Sequence, residues 1–262
     1  MKKAIITAVK FVTFFIGWAL CAYIFEIPTD HPALWRFGAE LIPLLSIILF
    51  SVIFWLVEKR KITIAPIGKP IKSLEAGVCI GLVWIGSAIG ILYLAGVIRF
   101  SGRNLVDNFW LWTISCLFNV IMQELLVRGY LYQLLKKNYN VITAAIITTI
   151  LFTLCHGGAL EAGIIPVLNI VTMSIFVTLT LEYFQSIIAP IMIHFVWNYV
   201  CAMILNCDSL ADDYPSLLQA VYTGNEILSG GVYKMAGSIV VLVLNIFFIV
   251  AFGIMLRKQA VE

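Results

Sequence analysis

The chain of 262 residues is 62% hydrophobic and only 12% charged, with a mean hydropathy of +1.02. Those values exclude an ordinary water-soluble domain and predict a polytopic membrane protein. The formal net charge of +3 carries little information by its total, and no nucleic-acid partner is expected.

Apolar stretches long enough to span a bilayer occur at 4–25, 39–57, 74–98, 109–135, 140–156, 164–184, 187–205 and 236–256. The expected fold class is therefore all-α: a polytopic transmembrane bundle of about eight spanning helices. The first stretch begins like a signal peptide, but its apolar run of about 20 residues is too long for one and no small-x-small cleavage site closes it. It reads as a spanning helix that stays attached. The run 140–156 is short for a span, and 187–205 contains Pro190. Residues 119–137 read as helix without a break. Between the seventh and eighth spans, 206–235 is a polar, acidic external loop, expected to form a cap or hairpin. Three regions follow: helices one to three (1–108), a core of helices four to seven (109–205), and the loop with the last helix (206–262).

Orientation follows from the placement of Lys and Arg. With the N-terminus in the cytoplasm, Lys2, Lys3, Lys59, Arg60, Lys61, Lys69, Lys72, Lys136, Lys137, Arg257 and Lys258 fall inside. Only Arg36, Arg99, Arg103 and Lys234 fall outside, together with Asp30, Asp107, Asp208, Asp212, Asp213 and Glu226. An even helix count puts both termini in the cytoplasm, and the lipid bilayer is an obligatory partner. The six cysteines lack a C-x-x-C pair. They read as small buried residues, with Cys207 alone in a loop.

Polar groups inside the spans carry the functional signal, since an ionisable residue there costs roughly 2.5–3.5 kcal/mol on insertion scales. On the fourth span Glu124 and Arg128 stand i, i+4 and can pair along one face. Asn119 and Gln123 make a second polar line about 100° away around the axis. The fifth span ends FTLCHGG, with Phe152 and His156 at i, i+4. The seventh carries His194 and Asn198 at the same spacing. Each has a plain structural reading: the ion pair as a clip, a histidine as an inter-helix partner worth about 0.6 kcal/mol. The joint occurrence favours a site, because two of only three histidines lie in apolar helices. His31, the third, lies in an external loop. Counting about 1.5 Å per residue puts Gln123, His156, His194 and Asn198 at roughly 18, 24, 10 and 16 Å from the cytoplasmic ends. Tilt allows all four to meet near mid-membrane.

QELLVR (123–128), FTLCH (152–156) and HFVWN (194–198) together resemble the CPBP family, the CAAX proteases and bacteriocin-processing or self-immunity membrane proteins. The family pattern is E-E-x-x-x-R, then F-x-x-x-H, then H-x-x-x-N or -B, and the resemblance covers about 109–205. It implies hydrolysis of a peptide bond of a membrane-associated peptide or protein. The first Glu of the pair and the first His would activate water, and His194 and Asn198 would hold the oxyanion. The catalytic set implied here is Gln123, Glu124, Arg128, His156, His194 and Asn198.

One position departs from the pattern. Gln123 stands where the base is expected, and an amide takes no proton. Three readings stand: an engineered Glu→Gln change; a silent member that binds or regulates partners; or a working enzyme in which Glu124 or His156 takes the proton and Gln123 positions the water. No cofactor is expected. Zinc is disfavoured, because a catalytic zinc takes three protein ligands and His156 and His194 supply two. Cys155 diverges from His156 by about 100° and cannot pair with it as a nucleophile. A transporter is disfavoured by the lack of an internal repeat.

Overall fold

A computed structural model describes residues 2–210 and 213–261, so the acidic Asp212 lies outside the described residues. In chain order the helices are α1 (Lys2–Tyr23), α2 (Pro32–Val57), α3 (Pro70–Leu94), α4 (Phe109–Arg128), α5 (Tyr130–Asn138), α6 (Val141–Cys155), α7 (Gly157–Ala162), α8 (Ile164–Phe184), α9 (Ile188–Trp197), α10 (Glu226–Ser229) and α11 (Ile239–Gln259). A π-helical segment, Asn198–Ile204, continues α9, and two short strands, β1 (Ile98–Arg103) and β2 (Leu218–Tyr222), complete the chain. The protein is an all-α polytopic bundle. Six of its helical stretches are long and apolar enough to cross a membrane, counting Phe109–Asn138 as one, while Val141–Cys155 and Ile188–Ile204 are shorter apolar helices.

The first compact unit comprises residues 1–66 and 108–148. Here α2 packs along α4, and α1 lies on α2. Phe14 is fully buried in an aromatic cluster with Phe50, Phe54 and Tyr130. The rest of α1 turns Ile5, Val9, Val12, Ile16 and Leu20 outward, the pattern of a helix whose surroundings are lipid. Two half-buried polar links tie it to the unit: Trp18 Nε1 donates to the Pro43 carbonyl (3.1 Å), and Asn138 Nδ2 donates to Thr7 Oγ1 (3.0 Å). Glu58, at the end of α2, takes both the Lys10 ammonium and the Tyr130 hydroxyl.

The expectation of an unbroken helix through 119–137 is corrected at Gly129. Its backbone (φ −79°, ψ −127°) leaves the helix, separating α4 from α5. A Cβ there would stand 2.2 Å from the Leu125 carbonyl oxygen, so only glycine lets the chain turn so tightly against its own last turn.

The second unit comprises residues 67–107 and 149–261. Its core joins α3, α8, α9 and α11 around Trp84, Phe176, Trp197, Phe248 and Phe252. Glycines at i, i+4 in α3 set the approach to α9. A Cβ at Gly77 would meet Ala189 O and Met192 Cβ at 2.8 Å, and one at Gly81 would meet Val196 Cβ at 2.8 Å. Small residues spaced this way are how helices come close where there is no water to expel. Pro190 falls in the first turn of α9, where its missing N–H has no intrahelical acceptor to lose.

Two further expectations are corrected in this unit and one is filled in. The third span ends at Leu94, and residues 98–103 form a strand. The 206–235 loop, expected as a cap or hairpin, meets itself at its ends through an antiparallel Asp208–Lys234 bridge, while β2 within it pairs antiparallel with β1 across a bulge between Ser101 and Arg103. Gly102 takes the extra position with φ +69°. The cysteines are not uniformly buried. Cys116, Cys201 and Cys207 are, but Cys79 and Cys155 are exposed on apolar helices. Cys207, expected in an open loop, has Met235 N–H bonded to its carbonyl and lies fully inside.

Candidate active site

The polar residues of α4 form two lines. In the first, Arg128 Nη1 lies 2.7 Å from Glu124 Oε2, with both side chains essentially without solvent exposure. Two opposite charges buried one helical turn apart neutralise each other with no second helix required. That is the clip which the spacing predicts.

The second line is longer than the sequence suggested. Gln123 Nε2 donates to Asn119 Oδ1 (2.6 Å), and Asn119 Nδ2 donates to Glu40 Oε2 (2.8 Å). Glu40 in turn pairs with Arg36, one turn earlier on α2, at 2.8 Å from Nε to Oε1. The Arg36 Nε–H does not point well enough at that oxygen to count as a hydrogen bond, so the contact is a charge pair. Arg36 and Glu40 were missed because Arg36 reads as a flanking residue outside the span. The signal that could have found them is their own i, i+4 spacing at the head of an apolar helix. Glu40 is buried, and a buried carboxylate needs partners. At the other end of the line, Gln123 Oε1 is buried with no hydrogen-bond partner among the described residues.

In the second unit, α6 and α9 bring the two histidines to one phenyl ring. The His156 ring lies with its centroid 4.3 Å from that of Phe152, and the His194 ring meets Phe152 edge-on at 5.9 Å. His156 ends α6 and precedes α7, with φ −102° and ψ 56°. Its Nδ1 sits 2.8 Å from the Phe152 carbonyl oxygen. A carbonyl can only accept, so in the neutral ring Nδ1 carries the hydrogen and Nε2 the lone pair. His194 is buried near the end of α9. Asn198 opens the π-helical turn, its N–H reaching the His194 and Phe195 carbonyls. Widened turns of this kind recur where a helix must re-aim a functional side chain.

Just before Asn198, Trp197 stacks on Trp84 (4.1 Å, 26°) and donates Nε1–H to Asp208 Oδ2 at 2.7 Å. This anchors the helix end that carries the motif. His31 is the N-cap of α2, its Nδ1 3.4 Å from Leu34 N and its Nε2 3.2 Å from Asn108 Nδ2. It belongs to a helix start and not to this constellation.

The structure thus joins Glu124 to Arg128 and Gln123 to Asn119 within one unit, and His156 to His194 through Phe152 within the other. The family model described as type II CAAX prenyl endopeptidase Rce1-like matches residues 105–200. That segment contains all three motifs, so the resemblance to the CAAX proteases is met by an independent match, and this is a protease family. No curated protein and no solved structure matches the chain.

Proposed function

We propose that the chain is an intramembrane endopeptidase in which His156 takes the proton of the attacking water. The observation that carries this reading is the His156 Nδ1 contact with the Phe152 carbonyl, which leaves the lone pair on Nε2. The water oxygen bonds to the scissile carbonyl carbon while its proton passes to that nitrogen. The same proton then goes to the departing amine as the C–N bond breaks. His194 and Asn198 donate hydrogen bonds to the oxyanion. In a low-dielectric cavity each such donor has a large effect, because it is aimed before the charge develops. Glu124 is held by Arg128 and acts as a brace. Gln123 is an amide and does not ionise. The substrate is a membrane-associated peptide or protein, with both termini of the enzyme in the cytoplasm of a bacterial cell.

His156→Ala and His194→Ala should each abolish cleavage of a membrane-anchored peptide while the protein still inserts. Undiminished processing by both variants ends the reading. The amide at position 123 favours a second reading, in which the chain is a silent member that binds a partner or confers self-immunity. Under that reading a partner peptide co-purifies with both histidine variants as well as with the parent, and no cleavage is seen in any of them.

A further inference from the structure

The second polar line of α4 has a direction, and that direction begins at Arg36. The Arg36 guanidinium, 2.8 Å from Glu40 Oε1, forms an ion pair with the Glu40 carboxylate. A carboxylate only accepts hydrogen bonds. The group it faces, 2.8 Å from Oε2, must therefore be the Asn119 amide nitrogen. This turns Asn119 Oδ1 toward α4's next turn, where it can only accept. Gln123, 2.6 Å away, must then present its own nitrogen, and its carbonyl oxygen is left pointing away from the line. That oxygen is buried and has no hydrogen-bond partner among the described residues. The orientation of both amides thus follows from one charge, three side chains upstream, and not from any choice between indistinguishable atoms.

We propose that Arg36, Glu40 and Asn119 form a positioning relay that fixes Gln123 with its carbonyl oxygen outward, as a hydrogen-bond acceptor for a donor bound in the site. Position 123 is wired for a group that donates toward Asn119. An ionised glutamate there would set two oxygens against each other. Asn119 cannot turn over to help it, because doing so would set Asn119 Oδ1 against the Glu40 carboxylate. A glutamine is therefore the residue this relay accommodates. The wiring stands without any claim about activity. That the bound donor belongs to a water or a peptide rests on the hydrolase reading above.

The relay is tested with Gln123→Glu, alone and combined with Glu40→Gln, by infrared difference spectra of the purified full-length chain against the parent. A glutamate at position 123 can keep the Asn119 contact only as the neutral acid, whose O–H replaces the amide N–H. The single variant should show the carbonyl stretch of a protonated carboxyl. In the double variant the new amide at position 40 donates to Asn119 Oδ1, Asn119 turns over, and its N–H groups meet a carboxylate. The protonated band should then vanish.

A carboxylate in the single variant overturns the relay. A protonated band that persists in the double variant also overturns it, since burial alone would then account for the proton. If Gln123→Glu does not accumulate, heat-unfolding midpoints of Glu40→Gln, Gln123→Leu and their combination decide the matter. Glu40 and Gln123 both bond Asn119, so a relay predicts non-additive shifts, and additive shifts refute it. A positive spectroscopic result with full cleavage by the histidine variants would leave the relay standing and remove the reading in which His156 is the base.

Discussion

Arg128→Met is the most exacting single perturbation of the first unit. The guanidinium and the Glu124 carboxylate stand 2.7 Å apart with side-chain exposures of 1% and 0%, so no water can replace the lost partner. Removing one member of such a pair costs about 3–5 kcal/mol, because the remaining charge is left buried and uncompensated. That is about two to nearly four decades in the folded-to-unfolded ratio. Glu124→Met should cost a similar amount for the same reason with the sign of the charge reversed. Combining the two removes both charges and replaces them with apolar groups, a change that is often neutral. The double variant should then recover at least half of the summed single losses. The measurement is unfolding in mixed detergent micelles followed by far-UV circular dichroism, with the three variants and the parent forming one cycle. Losses that simply add in the double variant, or an Arg128→Met cost below about 1 kcal/mol, the range of exposed pairs, would falsify the description of this pair as a dry clip.

Two other predictions concern the second unit. Gly77→Leu and Gly81→Leu should each destabilise the chain by roughly 1–3 kcal/mol or more through overpacking. Gly90→Leu on the same helix, where an added Cβ has nothing within 4 Å, should leave the unfolding midpoint unchanged; equal effects at all three positions would show that α3 does not meet α9 through its glycines. Burial, opposed in part by the hydrogen bond with Tyr222, pushes the Cys207 thiol from 9.0 up to about 12. The unfolded chain therefore loses this proton first, and the stability linked to Cys207, full below pH 9, falls as pH rises toward about 12. At pH 8 a maleimide should label Cys207 only after detergent unfolding, and rapid labelling of the folded protein would contradict its placement.

The architecture was legible because lipid enforces a simple rule, that apolar runs of sufficient length become helices. The spacing of Glu124 and Arg128 likewise predicted their bond, since both ends of the contact lie on one helix. What the sequence did not show were contacts set by backbone exceptions or by distant residues. Gly129 reads as one more residue in a helical run, and only its φ and ψ reveal the break. The pairing of β1 with β2 joins segments more than a hundred residues apart, and the strands are only 6 and 5 residues long. Glu40 was passed over for the same reason: its partner Asn119 is 79 positions away.

The two polar lines of α4 differ in how they end, and the difference bears on function. The Glu124–Arg128 line is closed, each charge meeting the other within its own helix. The line through Arg36, Glu40 and Asn119 ends at a carbonyl oxygen, Gln123 Oε1, to which no described residue donates a hydrogen bond. Burying a polar group unmet costs on the order of 2–7 kcal/mol against a partnered one, depending on the reference environment. A helix that needed only stability would remove that cost with a leucine at position 123. Retaining the amide, and anchoring it through three other side chains, makes sense if the oxygen is met by a donor that comes and goes. Ser51 Oγ is a further buried polar atom of this unit without a hydrogen bond among the described residues, but Gln123 Oε1 is the one that stands at the end of the proposed relay, which is where that proposal seats its donor.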